Sequence, residues 1–284
     1  MDDSHYRQQL FDENGNFVAS LRMNDRPSAQ QYYPVAAHGD GGIVVLAQPP
    51  YPQRLDEPQP YAISYMRAEL THRANAAELT LRDTIITWNA IQLMPGRRGS
   101  TDHLQFSGSV GAAVLSDGFA VADPNTNEVR YYDGDGALRT IARREGARVA
   151  VTDEHKERAR ARLVDMAGED GNPVPESLRR QRMEITKTWQ YAEHLPAFAQ
   201  MLAGSDDTIW LREFVVNEEM VGTWHAAPAN PSRWFALNRS GNLVASIQLP
   251  GRFTPRLFGE DFVAGLYRDE EDVEFVHVYG IVRS

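Results

Sequence analysis

The clearest pattern of apolar and polar positions along the chain is a short peptide, glycine and asparagine followed by a mostly apolar run, that occurs near both ends. It reads GNFVASL at residues 15–21 and GNLVASI at residues 241–247, and a weaker copy, GALRTI, occupies residues 136–141. Alternation with period two predicts strands, and Asp or Asn followed by Gly before such a run predicts a tight hairpin, because Gly accepts a positive φ. The three copies therefore predict three hairpins of one type.

A second set of hairpins is predicted wherever an Asp precedes a β-branched or aromatic run, and the runs after these Asp residues are expected to be inner strands. The residues are Asp40, Asp83, Asp117, Asp207 and Asp261. Apolar and polar residues alternate with period two in residues 127–132 and 272–279, which predicts linking strands between the two hairpin types. Residues 108–141 contain both hairpins in order and predict one complete four-stranded unit.

Repeated four-stranded antiparallel units of roughly forty residues are typical of β-propellers. We therefore predict an all-β fold, a β-propeller of about five blades within a range of four to six. All-β folds of this length are often one domain, so a single domain over residues 1–284 is expected.

Two segments interrupt the strand pattern. Residues 48–60 are rich in proline, which cannot donate a ladder hydrogen bond, so an extended surface loop is expected. Residues from about 152 to 194 predict an α-helical insertion, with Thr152 as the N-cap of one helix and Pro175 as the first residue of a second helix that continues through Trp189. The face of the first helix that is expected to lie on the propeller carries His155, Ala159, Leu163 and Met166.

Charge and composition exclude several kinds of function for this protein. The formal net charge of −10 argues against a general binder of nucleic acid or anionic membranes, because the surface would repel a polyanion. The absence of cysteine excludes disulfides, thiolate metal sites and cysteine nucleophiles. The sequence contains no apolar stretch long enough to predict a transmembrane segment, and residues 1–5 do not resemble an export signal. We expect a cytoplasmic protein if Met1 is the native start, and a periplasmic one if an export segment precedes it.

Motifs for catalysis or metal binding are weak. Residues 123–127 offer oxygen ligands like the start of a calcium loop, but Glu128 and Gly134 stand where such a loop requires Gly and Glu, so an ordinary turn is expected. The eight histidines show no zinc-binding spacing, and no serine-hydrolase elbow or phosphate-binding loop is present. No catalytic, cofactor or metal residue is assigned. A metal-assisted hydrolase or lactonase remains the alternative, because propeller enzymes gather carboxylates, Asn and His from several blades around a central channel.

The chain resembles the bacterial six-bladed β-propellers of the NHL/TolB-like group. The resemblance is carried by residues 114–141, by residues 195–198 leading to 209–211, and by residues 234–282. It implies a fold and no particular activity. Residues 3–12 line up with residues 123–133, so the resemblance implies a chain that opens inside a blade and lacks its first blade or more. Either the ring is smaller, or it is open, or a partner supplies the missing edge.

The helical insertion concentrates arginines on an otherwise acidic protein. Interspersed acidic residues favour a solvated, self-paired surface, whereas the enrichment of Arg at interfaces favours a docking surface. The candidate docking residues are Arg158, Arg162, Arg179, Arg180, Arg182 and Trp189. We therefore predict a non-catalytic binding or scaffold module without a cofactor, which docks to a protein partner as an extrinsic subunit of a larger assembly, with a membrane-associated complex among the alternatives.

Overall fold

The computed structural model describes residues 7–11, 14–22, 31–37, 42–73, 76–143, 148–165, 174–216 and 229–282. In these ranges β-strands predominate and are accompanied by two α-helices. The chain divides into two compact units, residues 1–52 with 60–90, and residues 53–59 with 91–284. The single domain expected over residues 1–284 stays a prediction.

The first unit is built on a sheet in the order β1-β2-β6-β5-β4-β3. Its strands are β1 (Arg7–Phe11), β2 (Phe17–Arg22), β3 (Gln31–Ala37), β4 (Gly42–Gln48), β5 (Gln59–Arg73) and β6 (Ala76–Pro95). Strands β2 and β6 pair in parallel. A small apolar core forms where Ile43, Val45 and Ala68 are buried with Tyr32 and Leu81 packed against them. The last residues of β6 belong to the second unit and pair with β7 (Thr101–His103).

The hairpin predicted at Asp83 is wrong. Asp83 lies inside β6, which runs unbroken for 20 residues. The segment around it offers no Gly or Pro for a turn and is rich in Thr and Ile, which favour extended backbone. The Asp83 carboxylate instead lies 3.8 Å from the guanidinium of Arg67 on β5.

The second unit contains three successive antiparallel sheets, which we call the first, second and third blades. The first blade consists of β8 (Gly111–Leu115), β9 (Gly118–Asp123), β10 (Glu128–Asp133) and β11 (Leu138–Arg143). The second blade consists of β12 (Phe198–Ala203), β13 (Ile209–Glu213), β14 (Ser232–Leu237) and β15 (Leu243–Leu249). The third blade consists of β16 (Phe253–Phe258), β17 (Phe262–Arg268) and β18 (Glu274–Gly280).

Strand β12 lies against both β8 and β16, so the first strands of successive blades are neighbours. This is the arrangement of β-propeller blades and confirms the predicted all-β propeller with a helical insertion. Four sheets are seen in the described residues, within the predicted range of four to six and one below the predicted value of about five. The predicted four-stranded unit at residues 108–141 is the first blade.

Apolar side chains fill the spaces between successive blades. Between the second and third blades, the ring of Trp210 stacks on Phe258 with centroids 4.3 Å apart and planes 6° from parallel. Trp234 and Phe253 are fully buried in the same cluster. Each such side chain contributes roughly 1.5–3 kcal/mol through burial, so the blades stabilise one another.

The three repeated hairpins are confirmed at β1–β2, β10–β11 and β14–β15. Gly15, Gly136 and Gly241 have φ values of 80°, 82° and 81°. At the two turns where the residue three positions before the glycine is described, that Asp or Asn stabilises the turn. Asp133 accepts hydrogen bonds from the N–H groups of residues 135 and 137, and Asn238 accepts them from residues 240 and 242.

A fourth turn of this geometry joins β17 to β18 and was not predicted. The Asp269 carboxylate accepts hydrogen bonds of 2.9 Å from the N–H groups of Glu271 and Val273. Asp272 takes the place of the glycine, with a φ of 63°. Asp is one of the few residues other than glycine that occupies this region with some frequency, so the turn forms without glycine.

The inner hairpins are confirmed at Asp117, Asp207 and Asp261, which lie in the turns before β9, β13 and β17. The hairpin predicted at Asp40 falls outside the described residues. The predicted linking strands at residues 127–132 and 272–279 are β10 and β18.

Both predicted interruptions are present. Residues 49–58 form no regular strand, as expected for the proline-rich segment. The insertion contains α1 (Asp153–Asp165) and α2 (Glu176–Thr186). Thr152 caps α1 as predicted, since its hydroxyl accepts a hydrogen bond from the N–H of His155 at 3.3 Å, and the His155 ring accepts one from the N–H of Thr152 at 3.2 Å.

Two details of the insertion were predicted wrongly. Pro175 precedes α2 instead of being its first residue, and α2 ends at Thr186, before Trp189. The hydroxyls of Thr186 and Thr188 donate hydrogen bonds of 2.9 Å to carbonyls three residues earlier, which supplies partners for the last turn and ends the helix. On α1 Ala159 is buried and His155 and Leu163 are half-buried, while Met166 lies outside the described residues.

Candidate functional site

The arginines of the insertion are mostly paired with acidic residues of the insertion itself. The pairs include Arg158 with Glu154, Arg179 with Asp165 at 2.8 Å, and Arg180 with Glu176 at 4.0 Å. These pairs are solvent-exposed and contribute little to stability, but they occupy the guanidinium groups. Within the described ranges Arg162 has no ion pair. The docking role of Arg158, Arg162, Arg179, Arg180, Arg182 and Trp189 stays a prediction.

Trp189 lies at the base of the insertion, where it is half-buried. Its ring meets Tyr191 edge-on, with centroids 6.3 Å apart. Tyr191 in turn lies 5.7 Å from the ring of Phe106, and the Arg160 guanidinium sits 5.6 Å from the Tyr191 centroid. A β-bridge between Gln105 and Tyr191 fixes this base to the segment before the first blade. Trp189 therefore lies where the insertion is fixed to the segment before the first blade.

Among the described residues, the third blade has an open edge. Its outer strand, β18, follows the alternating pattern of residues 272–279 and pairs with β17 over its whole length. The first and second blades each have a fourth strand, whereas in the described part of the chain nothing pairs with the outer side of β18. An unpaired edge presents a row of backbone N–H and C=O groups that can hydrogen-bond to another extended chain.

One face of the third blade is apolar and exposed. Val276 and Val278 are 76% and 64% exposed, and they stand opposite Leu266 and Ala264 of β17. Leu257 of β16 stands opposite Ala264 and is also exposed. We call Leu257, Ala264, Leu266, Val276 and Val278 the β18 surface. The other face of the same blade packs on the second blade, so the two faces have different environments.

Aromatic contacts on that inner face hold β18 in place. The ring of His277 stacks on Tyr267 with centroids 4.7 Å apart, and its Nδ1 shares a 2.9 Å hydrogen bond with the hydroxyl of Tyr279. Tyr279 also meets Phe253 edge-on at 5.0 Å. The edge is therefore preorganised, which lowers the entropic cost of binding a partner strand.

The turn that leads into β18 is acidic. Arg268 pairs with Asp272 at 3.1 Å and with Glu274 at 2.6 Å. These two carboxylates hold the pKa of Arg268 above its usual range, with Asp272 contributing most. Glu270 and Glu271 are exposed beside them and extend the negative charge at this end of β18.

Among the described residues, no three His, Asp or Glu side chains lie close enough together to hold a metal ion. The calcium-like segment is the expected turn, in which the Asp123 side chain accepts a 2.9 Å hydrogen bond from the N–H of Asn125. Neither helix that the structure describes is long and apolar enough to span a bilayer.

Comparison with known proteins gives no family. No protein-family model and no curated protein matches the chain. A member of the DUF4221 family from Bacteroides vulgatus has 8% identity and a TM-score of 0.42, with 99% of this chain and 74% of that chain covered. A functionally unknown protein from Desulfotomaculum acetoxidans has 9% identity and a TM-score of 0.34, with 99% and 78% covered. AztD from Citrobacter koseri has 8% identity and a TM-score of 0.28, with 97% and 68% covered. Function is therefore argued from the residues of this chain.

Proposed function

We propose that this protein is a non-catalytic binding module, and that an extended segment of a protein partner adds to β18 as the next strand of the third blade. The observation that carries the proposal is that, within the described residues, the third blade has three strands whereas the first and second blades have four, with apolar side chains exposed along its open edge. The same proposal includes two narrower points. The chain is related to the six-bladed NHL/TolB-like propellers, and the protein is an extrinsic subunit of a larger assembly.

Strand addition uses two kinds of contact. Backbone hydrogen bonds along the edge supply affinity, and side chains at alternate positions supply specificity. Val276 and Val278 project from the same face, so a partner strand with apolar residues at alternate positions buries them. Covering each valine contributes roughly 1.5–3 kcal/mol.

The charge at the start of β18 narrows the range of possible partners further. The acidic turn at residues 269–274 lies at the start of β18, so a partner segment with Lys or Arg at the adjoining end is favoured. A segment with acidic residues there is repelled. The proposed partner is therefore an extended, apolar segment flanked by basic residues.

The test compares the full chain with a double variant, Val276→Asp with Val278→Asp, as bait for partners from the native source. Val282→Asp is the matched control, because Val282 is 93% exposed and lies beyond the end of β18. Arg162→Glu tests the insertion as the alternative docking surface. We expect one protein to be recovered with the wild type, the control and Arg162→Glu, and to be lost with the double variant.

Amide hydrogen exchange of residues 274–280 supplies the second measurement. We expect rapid exchange at alternate amides in the isolated protein and slow exchange after the recovered partner is added. Slow exchange in the isolated protein would mean that the edge is already paired, and it would overturn the proposal. Recovery that is unchanged by the double variant, or reduced equally by Val282→Asp, would overturn it too.

A further inference from the structure

A cleft of about 420 Å³ lies between the first and second blades, apart from the β18 surface. Two arginines, one from each blade, contribute to it, namely Arg143 at the end of β11 and Arg233 near the start of β14. Its apolar residues are Phe235, Leu237 and Leu243. A volume of this size suits a small organic molecule or the end of a peptide.

The strand pattern separates the charged part of the cleft from the apolar part. Arg233, Phe235 and Leu237 alternate along β14 and therefore point to the same face of the second blade. Phe235 and Leu237 are each 7% exposed and form an apolar floor. Leu243, on the neighbouring strand β15, is 64% exposed and extends the apolar surface outward.

Among the described residues, both guanidinium groups keep hydrogen-bond donors that have no partner. Arg143 binds Glu128 through its Nε at 2.7 Å, and within the described residues its two Nη groups make no hydrogen bond. Glu128 is also paired with Arg130 at 2.8 Å. The hydrogen bonds from Arg143 and Arg130 hold the pKa of Glu128 below its usual range, so Glu128 stays ionised and fixes Arg143.

Arg233 makes only one weak bond in the part of the chain that the structure describes, from its Nε to the Ser246 hydroxyl at 3.2 Å, and it has no ion pair there. Among the residues that the structure describes, Glu213, at the end of β13, is the one acidic residue that lines the cleft. With Arg143 and Arg233, this described lining carries two positive charges and one negative charge. A ligand with a single negative charge therefore suits the cleft better than a polyanion does.

We infer that this cleft binds a monocarboxylate with an apolar body. The carboxylate pairs with the guanidinium of Arg233, with Arg143 on the facing blade as the second donor, because Arg matches the planar, bidentate geometry of a carboxylate. The apolar body lies on Phe235, Leu237 and Leu243. A free organic acid and the C-terminus of a peptide share this chemistry.

The experiment titrates the full chain calorimetrically with 4-phenylbutyrate, with its neutral amide, and with acetate, which lacks the apolar body. We expect 4-phenylbutyrate to bind more tightly than its amide and than acetate, by about tenfold or more in each case, because a charge-assisted hydrogen bond and the apolar contact each contribute. N-acetyl-Ala-Phe with a free C-terminus, and its amide, form a second pair of probes. The probe pair with the larger difference in affinity between acid and amide shows whether the natural ligand is a free organic acid or the C-terminus of a peptide.

Variants locate the site. Arg233→Gln is expected to weaken the binding of 4-phenylbutyrate by about tenfold or more. Arg256→Gln is the control, because it removes the same charge from an exposed residue of the third blade, outside the cleft, and it is expected to leave the affinity unchanged. Leu243→Ser alters an exposed side chain, so the fold is retained, and it is expected to weaken the acid and the amide alike. Equal affinity for acid and amide in both probe pairs, or equal losses in Arg233→Gln and Arg256→Gln, would overturn the inference and would leave the β18 proposal untouched.

Discussion

The carboxylate of Asp207 accepts two hydrogen bonds from Ser116, one from the backbone N–H at 2.8 Å and one from the hydroxyl at 2.6 Å. Ser116 lies in the turn between β8 and β9 of the first blade, and Asp207 lies in the corresponding turn of the second blade. Arg239 joins the same network, 2.6 Å from Asp207 and 2.6 Å from Asp117. Polar contacts thus link the turns of two blades whose cores already touch.

Asp207→Asn is expected to lower the free energy of unfolding by about 1–3 kcal/mol, because it removes the charge from these hydrogen bonds. Asn is the appropriate replacement, since position 207 has a φ of 60° and Asn adopts that conformation more readily than most residues. Urea denaturation of the two proteins measures the loss. Asp261→Asn is the control, because Asp261 occupies the matching turn of the third blade and is exposed. A loss of the same size in the control would contradict the role of the network.

The network also predicts a dependence on pH. Burial opposes ionisation of Asp207, but the hydrogen bonds from Ser116 and the charge of Arg239 outweigh it, so the pKa of Asp207 lies below its usual range. A carboxyl whose pKa is lower in the folded state stabilises the protein above its unfolded pKa of about 4, and this contribution is lost as the pH falls through the folded value.

The stability difference between the wild type and Asp207→Asn is therefore expected to be constant near neutral pH and to shrink as the pH falls below about 4. Urea denaturation at a series of pH values gives this difference directly. A difference that stayed the same down to pH values at which Asp207 is protonated would show that its charge is not responsible.

Gly241→Ala tests the approach of the second blade to the first. Gly241 has a φ of 81°, and an added Cβ would lie 2.5 Å from the Cβ of Ala142 on β11. Backbone strain and overlap together are expected to cost roughly 2–5 kcal/mol in unfolding free energy. Gly99→Ala is the matched control, with a φ of 74° and no atom within 4 Å of the new Cβ, so it carries the strain alone, roughly 1–2 kcal/mol. Equal losses in the two variants would mean that the blades separate enough to accept the methyl group.

The hairpins show how far local sequence reaches. The turns at Gly15, Gly136 and Gly241 were predictable because glycine at the position of positive φ is a local requirement. The turn at Asp269 was missed because Asp272 fills that position, although Asp at the first and fourth positions of the turn was a usable signal. Asp83 misled the prediction because an Asp before β-branched residues also occurs within a strand, where it can face a cation on the neighbouring strand.

The candidate sites were less accessible to sequence reading. The acidic residues interspersed among the arginines of the insertion favoured a self-paired surface, and Arg158 does pair with Glu154 on α1, which leaves that arginine less available to a partner. Strand β18 was predicted, but its open edge was not, because an edge is defined by what lies beside a strand. Nothing in the local sequence marked Arg143 and Arg233 as members of one cleft.

By itself, the sequence determined the helical insertion and most of the strands and turns that were predicted for this protein. These depend on interactions within a few residues, namely the two-residue alternation of side chains and the backbone conformations that Gly, Asp and Asn accept. Only the tertiary structure decided which blades are neighbours, which strand is left at the edge and which polar groups meet, as Ser116 meets Asp207. Those features arise from contacts between residues far apart in the chain, which form when separate apolar faces are buried against one another and which no local pattern encodes.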